Sequence, residues 1–341
     1  RRAVLSHHIG DLENYETFRA FTEAIAHLSR LFEVTPRAVA HDLHPEYLAT
    51  KHVLDLDGVD LVGVQHHHAH IASCLADNGH AGPVIGVAFD GTGYGTDGTI
   101  WGGEVLVADL VRFERVGHLG TVPLPGGAAA IREPWRMAAS YLRAAYGDDP
   151  PADLAVAGRH RERWDHVLAA VAAGVNAPLT SSAGRLFDAV AALLGVRDTV
   201  TYEGQAAIEL EQLADPGERG AYRATISDTE PFVISGTDLV RASVDDLRGG
   251  VDAPTIAARF HAGVARAIVE ACGRTRAATG LDTVALSGGV FQNVLLLDAT
   301  VGALRAAGCD VLTHHRVPPN DGGISFGQAV VAGARDRVGG T

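Results

Sequence analysis

The chain has 341 residues, and its 41 Asp and Glu outnumber 28 Lys and Arg to give a formal net charge of −13. That charge is spread out, with no acidic tail or basic patch, which argues against nucleic acid as the main partner; no apolar run is long enough to span a membrane and no signal peptide is visible. The three cysteines, Cys74, Cys272 and Cys309, form no C-x-x-C pair, which argues against a disulfide framework or a cysteine zinc site and fits a reducing cytoplasm. A hydrophobic content of 47% is enough for a sizeable core in one large domain or two.

In chain order, the first residue is Arg and Ala3–Ile9 reads as a strand, which suggests the later part of a longer polypeptide. A loop at Gly10–Asn14 precedes Tyr15–Phe32, where Phe18, Phe21, Ile25, Leu28 and Leu31 recur at helical spacing. Ala38–His41 and Leu61–Val64 are short buried-strand types, and a helix opening near His67 ends at Gly79, a favourable cap. Val84–Phe89, Thr99–Leu110 and Arg112–Leu119 read as a strand meander with Gly-rich turns. From Gly127 to about Leu194 the chain is Ala-rich and mostly helical. Residues 212–254 are polar with Pro and Gly, which predicts an irregular insertion holding a strand or two. Thr255–Thr279 is helical, Thr283–Leu286 and Val311–Thr313 are buried parallel strands, and a last helix starts near Ile324. No sequence repeat is present, although the element order of the second half (meander, helix, strand, helix, strand, helix) matches that of the first half without its opening strands.

The most informative local feature is Val64-Gln65-His66-His67-His68-Ala69-His70-Ile71. His66 and His70 are four apart, so on a helix they share a face and can bind one metal ion; a histidine-rich helix start facing water is the bland alternative. Asp90 closes a strand and leads into Gly91-Thr92-Gly93-Tyr94-Gly95, where glycines would let backbone amides approach a phosphate; an ordinary hairpin turn reads the same way. Leu286-Ser287-Gly288-Gly289-Val290-Phe291-Gln292-Asn293 runs from strand to helix, the place where nucleotides bind in open α/β sheets, unless it is only a tight turn. Asp321, in Pro319-Asn320-Asp321-Gly322-Gly323, stands at a helix-capping position and could also be a second carboxylate ligand. Two imidazoles with two carboxylates suit Fe(II), Zn(II) or Mn(II).

Ser182-Ala183-Gly184-Arg185 and Tyr202-Glu203-Gly204-Gln205 are further polar helix starts, and Arg185 and Asp188 are spaced to pair on a helix surface. His41, Asp42 and His44 form a polar cluster after a strand, at most supporting the histidines and otherwise a capped loop. Cys74 lies among Ala72, Leu75 and Ala76 and reads as a core residue; Trp135, near the start of a helix behind Pro134, also reads as core.

Together, the segments LSHHIGDLENYETF, AHDLHPEYLAT, VQHHHAHIAS, VIGVAFDGTGYGTDGTIWGGE, IREPWRMA, SSAGRLFDAVAALLG, YEGQAAIELE, ALSGGVFQN and VPPNDGGISFGQA resemble, collinearly and over nearly the whole chain, the HypF family of hydrogenase-maturation carbamoyltransferases in its Kae1-like C-terminal module. The resemblance implies an α/β fold of two actin-like (ASKHA) subdomains with nucleotide between them. The first would be 1–82, with the C-terminal helix at about 323–341 packed back on it; the second would be 83–322, with a mostly helical insertion at about 120–255. The first strand or strands of the first subdomain would be missing, exposing an edge at Ala3–Ile9.

It also implies transfer of a carbamoyl group from carbamoyl adenylate, made with ATP and carbamoyl phosphate, to the C-terminal cysteine thiol of a partner maturation protein. That step belongs to cyanide-ligand synthesis for nickel–iron hydrogenase. The divalent metal, Fe(II), Zn(II) or Mn(II), would be held by His66, His70, Asp90 and Asp321, through which those residues act in catalysis. The nucleotide would lie along Gly91, Thr92, Gly93, Gly95, Gly184, Arg185, Asp188, Gln205, Gly288, Gly289 and Asn293. The family's acylphosphatase-like domain, zinc-finger cysteines and adenylate-forming YrdC-like domain have no counterpart in this sequence, so the chain alone is not expected to make the adenylate. Four alternatives remain. An O-carbamoyltransferase would use a hydroxyl acceptor, a threonylcarbamoyl transferase is disfavoured by the acidic composition, a metallopeptidase would want a Glu within H-E-x-x-H, and a non-catalytic fragment would only bind metal and nucleotide.

Overall fold

The computed structural model describes residues 3–10, 12 and 14–339. Helix α1 (Tyr15–Leu31) is capped by the Asn14 side chain, which accepts from Thr17 N. Strand β1 (Ala38–Asp42), helix α2 (Leu48–Leu54) and strand β2 (Asp60–Val64) follow, and β1 and β2 pair in parallel with Asp42 opposite Val64. Helix α3 (His66–Asp77) leaves β2 after one residue, because the Gln65 side chain accepts from His68 N at 2.9 Å and caps the new helix.

Strands β3 (Val84–Tyr94), β4 (Ile100–Ala108) and β5 (Phe113–Leu119) form the antiparallel meander. The following stretch holds β6 (Val122–Pro123), α4 (Ala128–Arg132), α5 (Pro134–Tyr146), α6 (Ala155–Arg159), α7 (Arg161–Ala173), β7 (Leu179–Thr180), α8 (Ala183–Leu193) and α9 (Gln205–Leu213). Then come β8 (Phe232–Ile234), α10 (Gly236–Arg248), α11 (Ala253–Thr279), β9 (Thr283–Ser287), α12 (Val294–Ala306), β10 (Asp310–Leu312) and α13 (Ile324–Gly339). The large sheet runs β10-β9-β3-β4-β5-β8, with β10, β9 and β3 mutually parallel.

Because strand side chains alternate faces, β3 serves two cores at once. Ile85, Val87 and Phe89 face a large core with Trp135, Leu186, Phe187, Phe260 and Ile268. Val84 and Ala88 face the other way, onto Ile71, Cys74 and Leu75 of α3. Each large side chain so buried contributes about 1.5–3 kcal/mol. A third cluster joins Val64, Ala69 and Ala72 to Ile324 and Val331, seating α13 on α3. Arg335 then ties α13 down, donating to the carbonyls of Gly63 (3.1 Å) and Val111 (3.0 Å). Helix α3 is thus packed between the β3 sheet and α13, and its first turns sit at that junction. No helix among the described residues is long and apolar enough to cross a membrane.

Three expectations change. Ala3–Ile9 belongs to no strand, and Val4 and Leu5 are exposed: an apolar run becomes a strand only where a neighbouring edge pairs its backbone, and none is found among the described residues. Residues 236–248, within the stretch read as irregular, form a four-turn helix whose buried stripe of Leu239, Val240, Ser243 and Val244 is diluted by Asp and Arg on its outer face. Finally, Gly91–Tyr94 is not a turn. The strand β3 continues to Tyr94 through an irregularity between Phe89 and Gly93, and the hairpin turn falls at Gly95–Thr99, closed by Gly95 N to Thr99 O at 3.0 Å. Of the expected loop at Gly10–Asn14, Asp11 and Glu13 lie outside the described residues.

Candidate metal centre and adjoining nucleotide cavity

His66 and His70 lie on the first turns of α3, their rings 5.0 Å apart and both fully buried. Asp90 reaches them from the irregularity in β3, a bulge-like break that re-aims a side chain out of the strand's regular alternation. Its Oδ2 lies 3.3 Å from His66 Nε2 and 3.4 Å from His70 Nε2, while its Oδ1 accepts from the amide of Gly289 at 2.8 Å. Asp321 arrives from the loop before α13, with Oδ1 3.5 Å from His66 Nε2 and 3.6 Å from His70 Nε2.

That loop is firmly anchored. Buried Asp77, at the end of α3, accepts from the amides of His315 (2.6 Å) and Arg316 (2.9 Å) and pairs with the Arg316 guanidinium at 2.8 Å. Gly288 N donates to Pro319 O at 2.9 Å. One ligand-capable atom from each of His66, His70, Asp90 and Asp321 lies within 4.8 Å of the others. The donor set fits a divalent cation: two imidazole nitrogens and two carboxylate oxygens converge, and the buried Nε2 of His70 has no hydrogen-bond partner.

Charge is arranged to match. Burial alone would lower both imidazoles, but hydrogen bonds with Asp321, Asp42 and Asp90 hold His66 well above its ordinary range, and the Asp90 charge raises His70. Burial likewise opposes ionisation of the carboxylates, yet the two histidines hold Asp90 well below the usual range and bring Asp321 to about 2. The neighbouring histidines differ. His67 packs against Gly93 and Trp101 and His68 bonds the Asp109 carbonyl at 2.8 Å; burial pushes both down, towards the neutral form.

A cavity of about 440 Å³ adjoins this cluster, and Asp90 and Asp321 belong to its wall. Of the residues expected to hold nucleotide, Gly91, Gly184, Arg185, Asp188, Gly289 and Asn293 line it. The start of α8 faces the strand through Ser182, whose hydroxyl caps Arg185 N at 3.1 Å and donates to Gly91 O at 2.5 Å. Thr92, Gly93, Gly95, Gln205 and Gly288 lie outside the lining.

Gly93 is needed for packing: a Cβ there would stand 2.5 Å from the His67 ring and 2.8 Å from that of His66. Gly288 has φ +102°, and a Cβ would meet the Phe89 carbonyl oxygen at 2.1 Å, so glycine here lets β9 turn against β3. Gln205 turns inward to accept from Thr201 N at 2.8 Å; its neighbours Glu203 and Gly204 line the cavity instead.

Gln292, inside the Gly288–Asn293 stretch expected to meet nucleotide, also lines the cavity, as do Glu211 and Asn320, for which no such contact is expected. The helical pattern around Glu211 looks like any solvated face, whereas Asn320 directly precedes Asp321. Arg185 and Asp188 do pair, at 2.8 Å, but inside the protein rather than on a helix surface, each side chain only 4% exposed. Burial raises Asp188 in spite of Arg185.

Comparison with known proteins bears on the family and the fold. A family model described as the HypF Kae1-like domain covers residues 1–77, and one described as carbamoyltransferase, Kae1-like domain, second subdomain covers residues 86–328. Carbamoyltransferase HypF2 of Cupriavidus necator is 42% identical over 97% of this chain and 44% of its own length. A carbamoyltransferase HypF homolog of the same organism is 40% identical over 95% of this chain and 84% of its own length. A crystal structure of full-length HypF in the phosphate- and nucleotide-bound form is similar with a TM-score of 0.91 at 42% identity, over 97% of this chain and 52% of that one. The chain thus spans about half the length of full-length relatives such as HypF2. It belongs to the HypF carbamoyltransferase family, and its fold is that family's Kae1-like domain.

Proposed function

We propose that this chain transfers a carbamoyl group from carbamoyl adenylate to the C-terminal cysteine thiol of a partner protein, in the cytoplasmic pathway that makes the cyanide ligands of nickel–iron hydrogenase. The adenylate would come from a YrdC-like domain using ATP and carbamoyl phosphate. The observation that carries the reading is that Asp90 and Asp321 belong at once to the four-donor cluster and to the cavity wall. An acyl nucleotide held in the cavity would therefore present its acyl end to the cluster.

His66, His70, Asp90 and Asp321 would hold the divalent metal, Fe(II), Zn(II) or Mn(II), which when bound supplies Lewis-acid polarisation of the carbamoyl carbonyl. The remaining work falls to the chain. Gly91, Gly184 and Gly289 keep the wall free of side chains where the nucleotide's phosphate would pass, and the amino end of α8 adds a favourable dipole. Gly289 N holds Asp90 in orientation through its Oδ1. Val290 and Ile208 supply apolar wall for the base.

No cysteine of the chain competes as acceptor. Cys74, Cys272 and Cys309 are buried, and burial pushes the Cys74 thiol up to about 12 and that of Cys272 higher still. In this reading the nucleophile is the partner's thiolate.

The test is the intact mass of a cysteine-ended partner incubated with metal-loaded chain, ATP and carbamoyl phosphate, with and without a separately supplied YrdC-like domain. A carbamoyl adduct on the terminal cysteine that needs both the added domain and this chain supports the reading. No adduct, or one on a hydroxyl acceptor only, rejects it.

A further inference from the structure

We infer that Asp42 is a positioning residue for His66, fixing which imidazole nitrogen faces the other three donors. The inference rests on the reading of His66, His70, Asp90 and Asp321 as a metal site. Asp42 lines no part of the cavity and is not one of the four converging donors. It ends β1, and the parallel register of β1 with β2 sets it opposite Val64, two residues before His66. The sheet therefore delivers a carboxylate to the back of the first histidine of α3.

The contact is specific. Asp42 is 9% exposed, and its Oδ2 lies 2.9 Å from His66 Nδ1. Its Oδ1 accepts from His44 N at 2.8 Å, so the carboxylate cannot rotate away without losing a bond. The loop beyond is braced in turn, with the His44 ring stacked on Tyr47 at 4.1 Å.

An ionised carboxylate only accepts hydrogen bonds, so it requires the proton on Nδ1. In the neutral ring this leaves the lone pair on Nε2, the atom that lies 3.3 Å from Asp90 Oδ2 and 3.5 Å from Asp321 Oδ1. Carboxylates that hold the far nitrogen of a ligating histidine typically change metal affinity 10–100-fold when altered. Asp42→Asn reverses the polarity while keeping the shape. The Asn oxygen can keep the His44 amide, but its NH₂ then faces His66 Nδ1, which must become the acceptor and leave the proton on Nε2.

The experiment measures Zn(II) affinity of the full chain by competition with a chromophoric chelator, for wild type, D42N and H66A. Long-range ¹H–¹⁵N spectra of the zinc-loaded wild type are recorded beside it. The expected result is wild-type binding, about 10–100-fold weakening in D42N with unchanged near-UV circular dichroism, and a His66 proton on Nδ1 with a metal-shifted Nε2. Wild-type affinity in D42N, with H66A abolishing binding, overturns the positioning role and leaves the metal site standing. A wild type that binds no Zn(II) removes both. Should D42N fail to fold, the wild-type spectra decide: zinc on Nδ1 overturns the inference, and zinc on Nε2 with a protonated Nδ1 upholds it.

Discussion

The amide of Gly289 donates to Oδ1 of Asp90 at 2.8 Å across 199 positions of sequence. Through this one bond the strand-to-helix turn after β9 fixes a carboxylate at the irregularity of β3, and both residues face the same cavity. The candidate metal cluster and the candidate nucleotide cavity are thus built from one shared set of backbone elements. A change on either side should be felt on the other.

His70→Ala should show that coupling in its simplest form. The Nε2 of His70 lies 3.4 Å from Asp90 Oδ2 and 3.6 Å from Asp321 Oδ1, and its removal takes one of the four converging donors from the candidate metal cluster. The expected outcome is a drop in Zn(II) affinity of about 100-fold or more, at or beyond the upper end of what losing a supporting residue costs. Stoichiometric tight binding in the variant would remove His70 from the ligand set.

Gly288→Ala should fail for steric reasons. The added Cβ would sit 2.1 Å from the Phe89 backbone oxygen, just past the last β3–β9 pair, and φ is +102°. A loss of about 3–5 kcal/mol or outright misfolding is expected, read from chemical denaturation. Gly289→Ala is the companion: its nearest neighbour would be the Asp90 carboxylate at 3.0 Å, so it should fold and weaken metal or nucleotide instead.

Arg185 and Asp188 form a buried pair, and breaking one side strands the other. Arg185→Met should cost about 3–5 kcal/mol, and adding Asp188→Leu should recover part of that loss, giving a coupling readable in a double-mutant cycle. Both variants should weaken nucleotide binding, since both residues line the cavity. Additive losses would mean that the two side chains are not an energetic unit.

Acid should release the loop carrying Asp321. Burial opposes ionisation of Asp77, but hydrogen bonds from the amides of His315 and Arg316 and from the Arg316 side chain bring it down to about 2. A group with a depressed folded pKa stabilises the protein above its unfolded value, near 3.9, and that contribution is lost as pH falls from about 4 to about 2. Asp77→Asn should cost about 2 kcal/mol at neutral pH, the scale of hydrogen bonds to a charged group, and flatten the melting temperature over that acid window. Parallel pH profiles for variant and wild type would contradict this.

Much of this architecture was legible in the residue order because the signals are local. The spacing of His66 and His70 requires only a helix, the alternation in Val84–Phe89 only a sheet with two apolar faces, and both elements formed. What stayed hidden depends on distant partners. Ala3–Ile9 looks like a strand by composition, but composition cannot supply a pairing edge. Gly91–Gly93 looked like a turn because glycines mark turns more often than close packing, and the His66 and His67 rings that demand Gly93 come from another element. Gln205 and Glu203 are neighbours in a motif, and only the left-handed Gly204 between them decides which one faces the cavity. Asp42 could be credited with no more than a supporting place until the β1–β2 register set it behind His66.

Whether the four-donor cluster and the cavity form one site can be read from crystals of the chain grown with Zn(II) and AMP, with data collected on both sides of the zinc absorption edge. A single site gives one anomalous peak bound by His66, His70, Asp90 and Asp321, with the nucleotide between α8 and the turn at Gly289 and its phosphate end towards that peak. Zinc bound elsewhere, or AMP seated away from Asp90 and Asp321, would contradict it.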